Sequence, residues 1–306
     1  MTRDEQTKHG KAPSAFTAFG LRAEAEPIAP GLHVVATPIG NLRDISLRAL
    51  ATLAAAEAVI AEDTRVTKTL LAHYGIATPL IAYHEHNAHL VRPQIIARLA
   101  AGAALALVSD AGTPLVSDPG FKLVSEAVAG GVPVTSVPGA SAVLAALVVA
   151  GLPTDRFFFE GFLPPKSAAR RARLAELAIV PGTLVFFESP RRIAETLADC
   201  AATLGAREAA VARELTKHFE TVRRGALSEL ARDIADEQLR GEIVLLVGPP
   251  SENARETRDL DVDARIVEAL ATNSVKDAAS IVAGETGEPR RRVYARALQL
   301  AAGRRE

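Results

Sequence analysis

The sequence predicts an α/β fold with two domains, and three observations lead to that prediction. The chain has 306 residues, more than one domain of ordinary size requires. In the first half, short apolar runs alternate with Ala- and Leu-rich stretches of helical length. The same alternation starts again after the break at Gly151-Leu152-Pro153. Strands that alternate with helices form a largely parallel sheet whose two faces are covered.

The first half is expected to contain strands that are each followed by a helix. The strands are predicted at residues 32–35, 59–61, 80–82, 105–108 and 134–137. The helices are predicted at residues 46–56, 64–73, 89–101, 121–129 and 141–150.

The second half is expected to repeat this arrangement. Its strands are predicted at residues 157–162, 184–187, 209–212 and 243–247, with helices around 167–178, 190–203 and 228–236. The expected organisation is a flexible arm over residues 1–30, an N-terminal domain over 31–151, a C-terminal domain over 152–250, and a linker with C-terminal helices over 251–306.

Composition and charge exclude several classes of protein. Hydrophobic residues make up 48% and charged residues 23%, which excludes wholesale disorder. The net charge is −1, so a nucleic-acid partner would have to be held by a local basic patch. Cys200 is the single cysteine, which excludes an internal disulfide and favours a reducing, cytoplasmic location. The longest uncharged stretch, residues 127–154, holds four glycines and three prolines, so no membrane span is predicted.

Several common catalytic motifs are absent. No two of the 21 glycines are two residues apart, so the dinucleotide fingerprint and the usual glycine motif of methyltransferases are missing. The segment His84-Glu85-His86-Asn87-Ala88-His89 resembles a zinc site, but Ala88 stands where H-E-x-x-H requires histidine. A polar loop or a substrate contact is the better interpretation, and no metal is predicted.

Three predicted strands of the first half end in loops suited to a ligand. These loops are residues 37–44, 109–120 and 137–142. Ligands of open α/β sheets bind beyond the carboxyl ends of the strands, and small residues let a ligand lie against the main chain. Ordinary turn chemistry explains each loop taken alone, whereas three such loops together indicate a pocket.

Seven segments occur in an order that identifies a family. They are Val35-Ala36-Thr37-Pro38-Ile39-Gly40-Asn41-Leu42, Glu62-Asp63-Thr64-Arg65, Tyr83-His84-Glu85-His86-Asn87, residues 109–120, Phe159-Glu160-Gly161-Phe162-Leu163-Pro164, Phe187-Glu188-Ser189-Pro190-Arg191 and Arg213-Glu214-Leu215-Thr216-Lys217. With these motifs the sequence resembles the ribosomal RNA small subunit methyltransferase I family of the tetrapyrrole methylase superfamily. The resemblance runs from about Leu32 to Leu300.

The resemblance implies two α/β domains of the tetrapyrrole methylase type, with S-adenosylmethionine (SAM) in the cleft between them, and a homodimer. It implies methylation of the 2′-hydroxyl of cytidine 1402 in the 16S rRNA of the small ribosomal subunit. Carried onto matching positions, the cofactor-binding residues are Pro38, Asp110, Gly112, Thr113, Val116, Ser141, Ala142, Phe187, Leu215, Thr216 and Glu242.

A ribose hydroxyl is a weak nucleophile near neutral pH, so a proton acceptor would assist the reaction. The candidate catalytic residues are Glu214 and a deprotonated Lys217, and the alternative for both is a solvated salt bridge at a strand end.

RNA contacts are expected from Lys166, Arg170 and Arg171 on one short helix, and from His84, His86 and Asn87 around the acceptor nucleotide.

Two other functions stay open on the sequence alone. One is a SAM-dependent methylase of a tetrapyrrole-like small molecule, as elsewhere in the superfamily. The other is a non-catalytic, ribosome-associated RNA-binding factor that keeps the fold, which would not bind SAM.

Overall fold

The chain folds into two α/β units, and each unit contains one five-stranded sheet. In this computed structural model, residues 14–116, 120–250, 262–286, 288 and 290–303 are described. One unit holds the described residues up to Ala146 together with Glu214–Glu220, and the other holds Leu147–Arg213 and those from Thr221 onward. The α/β fold with additional C-terminal helices that the sequence predicts is confirmed.

The first unit begins with a β-hairpin where the sequence predicts a flexible arm. Strands β1 (Ala15–Ala18) and β2 (Leu21–Glu24) pair antiparallel. Phe16 is buried in the core, and Thr17 N donates a hydrogen bond to Tyr74 O at 2.8 Å. The prediction of a flexible arm is therefore wrong for residues 15–24, because one buried aromatic ring ties the hairpin to the core. Residues 1–13 lie outside the described part.

A parallel sheet forms the centre of the first unit. Its strands are β3 (Gly31–Val35), β4 (Ala58–Ala61), β5 (Leu80–Ala82), β6 (Ala104–Val108) and β7 (Val134–Val137), in the order β5-β4-β6-β3-β7. The helices between and after them are α1 (Leu47–Ala55), α2 (Thr64–His73), α3 (Ala88–Ala100), α4 (Phe121–Ala129) and α5 (Ala142–Ala150).

Both faces of this sheet are buried, which explains why its strands read as continuous apolar runs. Leu105 and Leu107 of β6 pack in one core with α3 and α4, whereas Ala106 and Val108 pack in a second core with α1 and α2. Successive side chains of a strand point to opposite faces of the sheet, which places these two pairs of residues in different cores.

The sheet of the second unit is mixed rather than parallel. Its strands are β8 (Phe157–Phe162), β9 (Thr183–Glu188), β10 (Glu208–Arg213), β11 (Thr221–Ala226) and β12 (Ile243–Val247), in the order β11-β10-β12-β9-β8. Only the β8–β9 pair of this sheet is parallel. The prediction of a repeated parallel arrangement is wrong for this sheet. For β10 and β11 the reason is that only seven residues, Glu214–Glu220, separate the two strands, too few for a parallel crossover.

Helices cover one face of this second sheet and continue at the C-terminus. Helices α6 (Ser167–Leu177), α7 (Ile193–Leu204) and α8 (Leu227–Ile234) share a core with alternate residues of β9, β10 and β12. At the C-terminus, α9 (residues 262–269), α10 (Val275–Thr286) and α11 (Arg290–Gly303) form a small core of their own. Among the described residues, no helix is long and apolar enough to cross a membrane.

Candidate active site

Three loops at one edge of the parallel sheet are joined by direct hydrogen bonds. Strands β6, β3 and β7 are parallel neighbours, so the loops that follow them leave from the same edge. Thr37 N donates to Gly112 O at 2.9 Å, and Gly112 N donates to Thr37 O at 3.0 Å. The Thr113 hydroxyl donates to Ala140 O, after β7, at 3.0 Å. The three loops therefore form one connected surface.

Glycine is needed where these loops meet. Gly112 has a φ of +82°, in the left-handed region that favours glycine. A Cβ atom at Gly112 would lie 3.2 Å from Ile39 Cγ2, and one at Gly139 would lie 3.0 Å from Ala36 Cβ. The glycines therefore let these loops pack closely against one another.

Asp110 connects this surface to the loop after β4. Its Oδ1 atom accepts a hydrogen bond from Asp63 N at 3.0 Å. The Asp63 carboxylate binds the Arg65 guanidinium, with Oδ2 2.6 Å from Nη2, and caps α2 by accepting from Arg65 N at 2.8 Å. Hydrogen bonds from the Arg65 side chain and backbone lower the pKa of Asp63 from 3.8 to about 2. In the sequence, the Asp63–Arg65 pair appeared only as part of the motif at residues 62–65, and no function was assigned to it.

The segment Glu214–Glu220 packs against the loop after β3. Asn41 N donates to the Thr216 hydroxyl at 3.1 Å, and a Cβ atom at Gly40 would lie 2.6 Å from Lys217 Cγ. Lys217 Nζ donates to Glu214 Oε1 at 2.9 Å. The two catalytic candidates therefore form an ion pair beside the loop after β3. In the sequence, Glu214 follows Gly40 of that loop by 174 residues.

The backbone of this segment is strained. Glu214 and Thr216 have φ values of +53° and +66°. The left-handed region costs a residue with a side chain about 1–2 kcal/mol, so the surrounding contacts must hold both residues there. Strained backbone of this kind is concentrated at functional sites.

The remaining cofactor-binding candidates divide between the two units. Pro38 is buried after β3, and Val116 is exposed. Ala142 begins α5, Ser141 directly precedes it, and Leu215 is buried. Phe187 lies in the second unit, where its ring packs edge-on against Phe159 with centroids 4.9 Å apart. Glu242 directly precedes β12, whose Ile243 pairs with Glu188, so Glu242 and Phe187 share one end of the second sheet.

Residues 31–231 match a family model described as "Tetrapyrrole (Corrin/Porphyrin) Methylases". The chain belongs to the tetrapyrrole methylase family. A second model, described as the "RsmI C-terminal HTH domain", matches residues 256–301, a region whose described part is helical.

Curated relatives place the chain more closely within this family. It is 52% identical to "Ribosomal RNA small subunit methyltransferase I" of Mesorhizobium japonicum over 279 residues, which cover 90% of this chain and 94% of that protein. It is also 52% identical to the protein of the same name from Xylella fastidiosa, over 87% of this chain and 98% of that protein. The resemblance found in the sequence is thereby confirmed.

Two solved structures of methyltransferases share the fold. The cobalamin biosynthetic enzyme cobalt precorrin-4 methyltransferase superimposes with a TM-score of 0.54 at 18% identity, covering 71% of this chain and 94% of that one. Uroporphyrin-III C-methyl transferase from Thermus thermophilus, complexed with S-adenyl homocysteine, gives a TM-score of 0.50 at 22% identity, covering 71% and 97%.

As a tetrapyrrole methylase the chain is a SAM-dependent methyltransferase. The residues at the three loops fit such a donor. The exposed Asp110 carboxylate can accept hydrogen bonds from an amino or hydroxyl group and offsets the positive charge of a sulfonium. The glycines at 112 and 139 let the loops that carry these groups pack closely together.

The basic helix α6 presents fewer cations than the sequence indicates. The Arg170 side chain is 1% exposed, and its Nε donates to Asp199 Oδ2 at 2.7 Å. Arg170 is therefore withdrawn as an RNA contact, because its guanidinium is buried and paired within the second unit. Lys166 and Arg171 are exposed.

The histidine loop after β5 is held by Asn87. Its side chain accepts from His84 N at 2.9 Å and donates to Ala82 O at 3.0 Å. Asn87 thus fixes the turn, while His86 is exposed and His84 is half-buried, their rings 6.0 Å apart. Among the described residues, no group of three or more His, Cys, Asp or Glu is arranged to hold a metal ion.

Proposed function

We propose that this methyltransferase transfers a methyl group from SAM to the 2′-hydroxyl of cytidine 1402 in the 16S rRNA of the small ribosomal subunit, in the cytoplasm and as a homodimer. One observation carries the proposal. The Glu214–Lys217 ion pair and the three loops belong to one unit, and the segment that carries the pair packs against Gly40 and Asn41 of the first loop. An acid–base pair beside a donor site is the arrangement that methylation of a weakly acidic hydroxyl requires. Relatives about half identical to this chain carry the name of an rRNA methyltransferase, which supports RNA as the acceptor.

The proposed donor contacts are the residues that the sequence resemblance names. Pro38, Asp110, Gly112, Thr113, Val116, Ser141, Ala142, Leu215 and Thr216 are the proposed contacts from the first unit, and Phe187 and Glu242 those from the second. When bound, SAM supplies an electrophilic methyl group on a good leaving group. The chain's residues hold the two reactants in line and exclude water, and such alignment accounts for about 7–11 kcal/mol of a barrier.

Glu214 is the proposed proton acceptor. Lys217 donates to Glu214 Oε1 at 2.9 Å, so the lysine acts as the ammonium partner and the carboxylate keeps lone pairs for the ribose proton. Lys217 would hold the carboxylate in place and offset its charge before the proton arrives. This assignment selects one of the two candidates that the sequence left open.

RNA contacts are proposed from exposed groups on both units. Lys166 and Arg171 would bind phosphates without reading sequence. His84 and His86 follow β5 at the same edge of the sheet as the three loops and would contact the acceptor nucleotide. Asn87 would support them through the turn it fixes.

The test is methyl transfer from tritiated SAM to small ribosomal subunits from cells that lack this protein, followed by mapping of ribose methylation. We expect label on the 2′-oxygen of a single cytidine. A parallel reaction with a tetrapyrrole acceptor should remain unlabelled. Label on the tetrapyrrole and none on the subunit would support the small-molecule alternative instead.

A further inference from the structure

Phe219 is an exposed aromatic residue beside the candidate catalytic pair. Its side chain is 68% exposed, and it lies two residues after Lys217 in the segment Glu214–Glu220. Single exposed apolar residues are common on protein surfaces, so the position of this ring beside the candidate pair is what singles it out. No step proposed above uses this ring.

The segment holds Phe219 in a defined position. Thr216 N donates to Glu220 Oε2 at 2.6 Å, and Lys217 N donates to Glu214 O at 3.0 Å. Glu220 N donates to Lys217 O at 3.2 Å, which closes the turn around residues 218 and 219. The His218 and Phe219 rings lie edge to face, with centroids 4.8 Å apart and an interplanar angle of 77°. The ring therefore stands on a tight turn and not on a loose loop.

The segment Glu214–Glu220 carries two carboxylates and one lysine, so it has no excess of cations. Lys217 donates to Glu214, and Glu220 accepts from the Thr216 backbone. A phosphate binds best where cations are in excess, which this turn does not provide. A flat, weakly polar ring face suits the face of another planar ring.

Nucleobases are planar rings of this kind. Specific RNA recognition acts mostly on unstacked bases, which stack on aromatic side chains, and enzymes that modify a nucleotide draw it out of its stack. We propose that Phe219, with the His218 ring packed beside it, is the stacking platform for the unstacked base of the acceptor nucleotide. The inference rests on the proposed function and names the residue that holds the substrate base.

The kinetic test compares Phe219→Ala with Phe219→Trp on small subunits from cells that lack this protein. Loss of one base–aromatic stack should lower kcat/KM about 5- to 150-fold for Phe219→Ala. Phe219→Trp keeps a stacking face and should retain most of the activity. SAM affinity, measured by calorimetry, should be unchanged in both variants, which separates loss of the RNA contact from loss of the donor site.

A fluorescence test follows from the absence of tryptophan in the chain. In Phe219→Trp the new indole is the sole tryptophan, and a stacked base should quench its emission. The probe is a single-stranded oligoribonucleotide with the sequence around the acceptor cytidine. The matched control is Phe19→Trp, at an 81% exposed phenylalanine in the turn of the β1–β2 hairpin, whose emission should not change.

The possible outcomes are distinguishable. If the wild-type protein transfers no methyl group to subunits, the proposed function fails and takes this inference with it. If the wild-type protein methylates subunits and Phe219→Ala does so equally well, only the stacking platform is wrong. Equal quenching of the indole in Phe19→Trp and in Phe219→Trp, or a change of oligomeric state in Phe219→Ala, would also overturn it.

Discussion

Glu214 and Lys217 illustrate what single side chains contribute to this site. Their ion pair stands on strained backbone beside the loop after β3. We expect Glu214→Gln and Lys217→Met to lower the rate of methyl transfer by about 10²- to 10⁴-fold, the usual contribution of a positioned proton acceptor. SAM binding, followed by calorimetry, should persist. The control is Glu237→Gln, which breaks a separate ion pair with Arg223 and should leave the rate intact. Near-normal rates in both site variants would reject the assignment.

Gly40 tests how closely the segment Glu214–Glu220 must approach the loop after β3. A Cβ atom at Gly40 would lie 2.6 Å from Lys217 Cγ and 2.9 Å from Thr216 Oγ1, so Gly40→Ala must displace the lysine side chain. A displacement of this size should lower kcat about 10- to 100-fold, with a small effect on the free energy of unfolding.

Gly284→Ala is the matched control for Gly40→Ala. Nothing lies within 4 Å of a Cβ atom at this position of α10, so the free energy of unfolding should rise by about 0.5–1 kcal/mol. Its methyl transfer should be unchanged. If Gly40→Ala also left kcat unchanged, the close approach would have no catalytic importance.

At the scale of elements, the β1–β2 hairpin contacts the core of the first unit through Phe16. Phe16 is 7% exposed and joins the core that α1 and α2 share with the sheet. Phe16→Ala should lower the free energy of unfolding by about 3–5 kcal/mol in a urea titration. Phe19→Ala, in the exposed turn, should change it by less than about 0.5 kcal/mol. Equal, small effects would mean that the hairpin does not stabilise the unit.

On helix α6 the adjacent residues Arg170 and Arg171 are expected to differ, with Arg170 stabilising the unit and Arg171 contacting RNA. Arg170→Ala leaves the Asp199 carboxylate largely buried without its closest cation, so the free energy of unfolding should fall by about 3–5 kcal/mol. Arg171→Ala should leave stability within about 0.5 kcal/mol of wild type. It should reduce the salt dependence of RNA binding by roughly one phosphate contact. A stability loss in Arg171→Ala, with unchanged RNA binding, would contradict this division.

At the scale of the whole molecule, the sequence predicts most accurately the positions of strands that are buried on both faces. Strands β3, β4 and β6 are continuous apolar runs bounded by turn residues, and their predicted positions agree with the structure to within a residue or two. Strand β11 was missed, because Arg223 and Arg224 interrupt its apolar pattern and its conformation depends on pairing with β10.

The candidate site was also predicted only in part, because some of its contacts join residues distant in the sequence. The three loops could be predicted, because the ends of parallel strands lie at one edge of a sheet whatever their order. The packing of Lys217 against Gly40 and the burial of Arg170 could not, because each depends on a residue distant in the sequence. Local pattern indicates which residues are charged or small, whereas tertiary contacts decide which of them are available to a ligand.

The central claim is that the loops after β3, β6 and β7 bind the methyl donor. A crystal structure of the protein with S-adenosylhomocysteine tests it most directly. We predict that the bound product lies against Gly112 and Thr113, with Asp110 and Ser141 within hydrogen-bond distance. A product bound elsewhere, with Asp110 and Ser141 both facing solvent, would contradict the account.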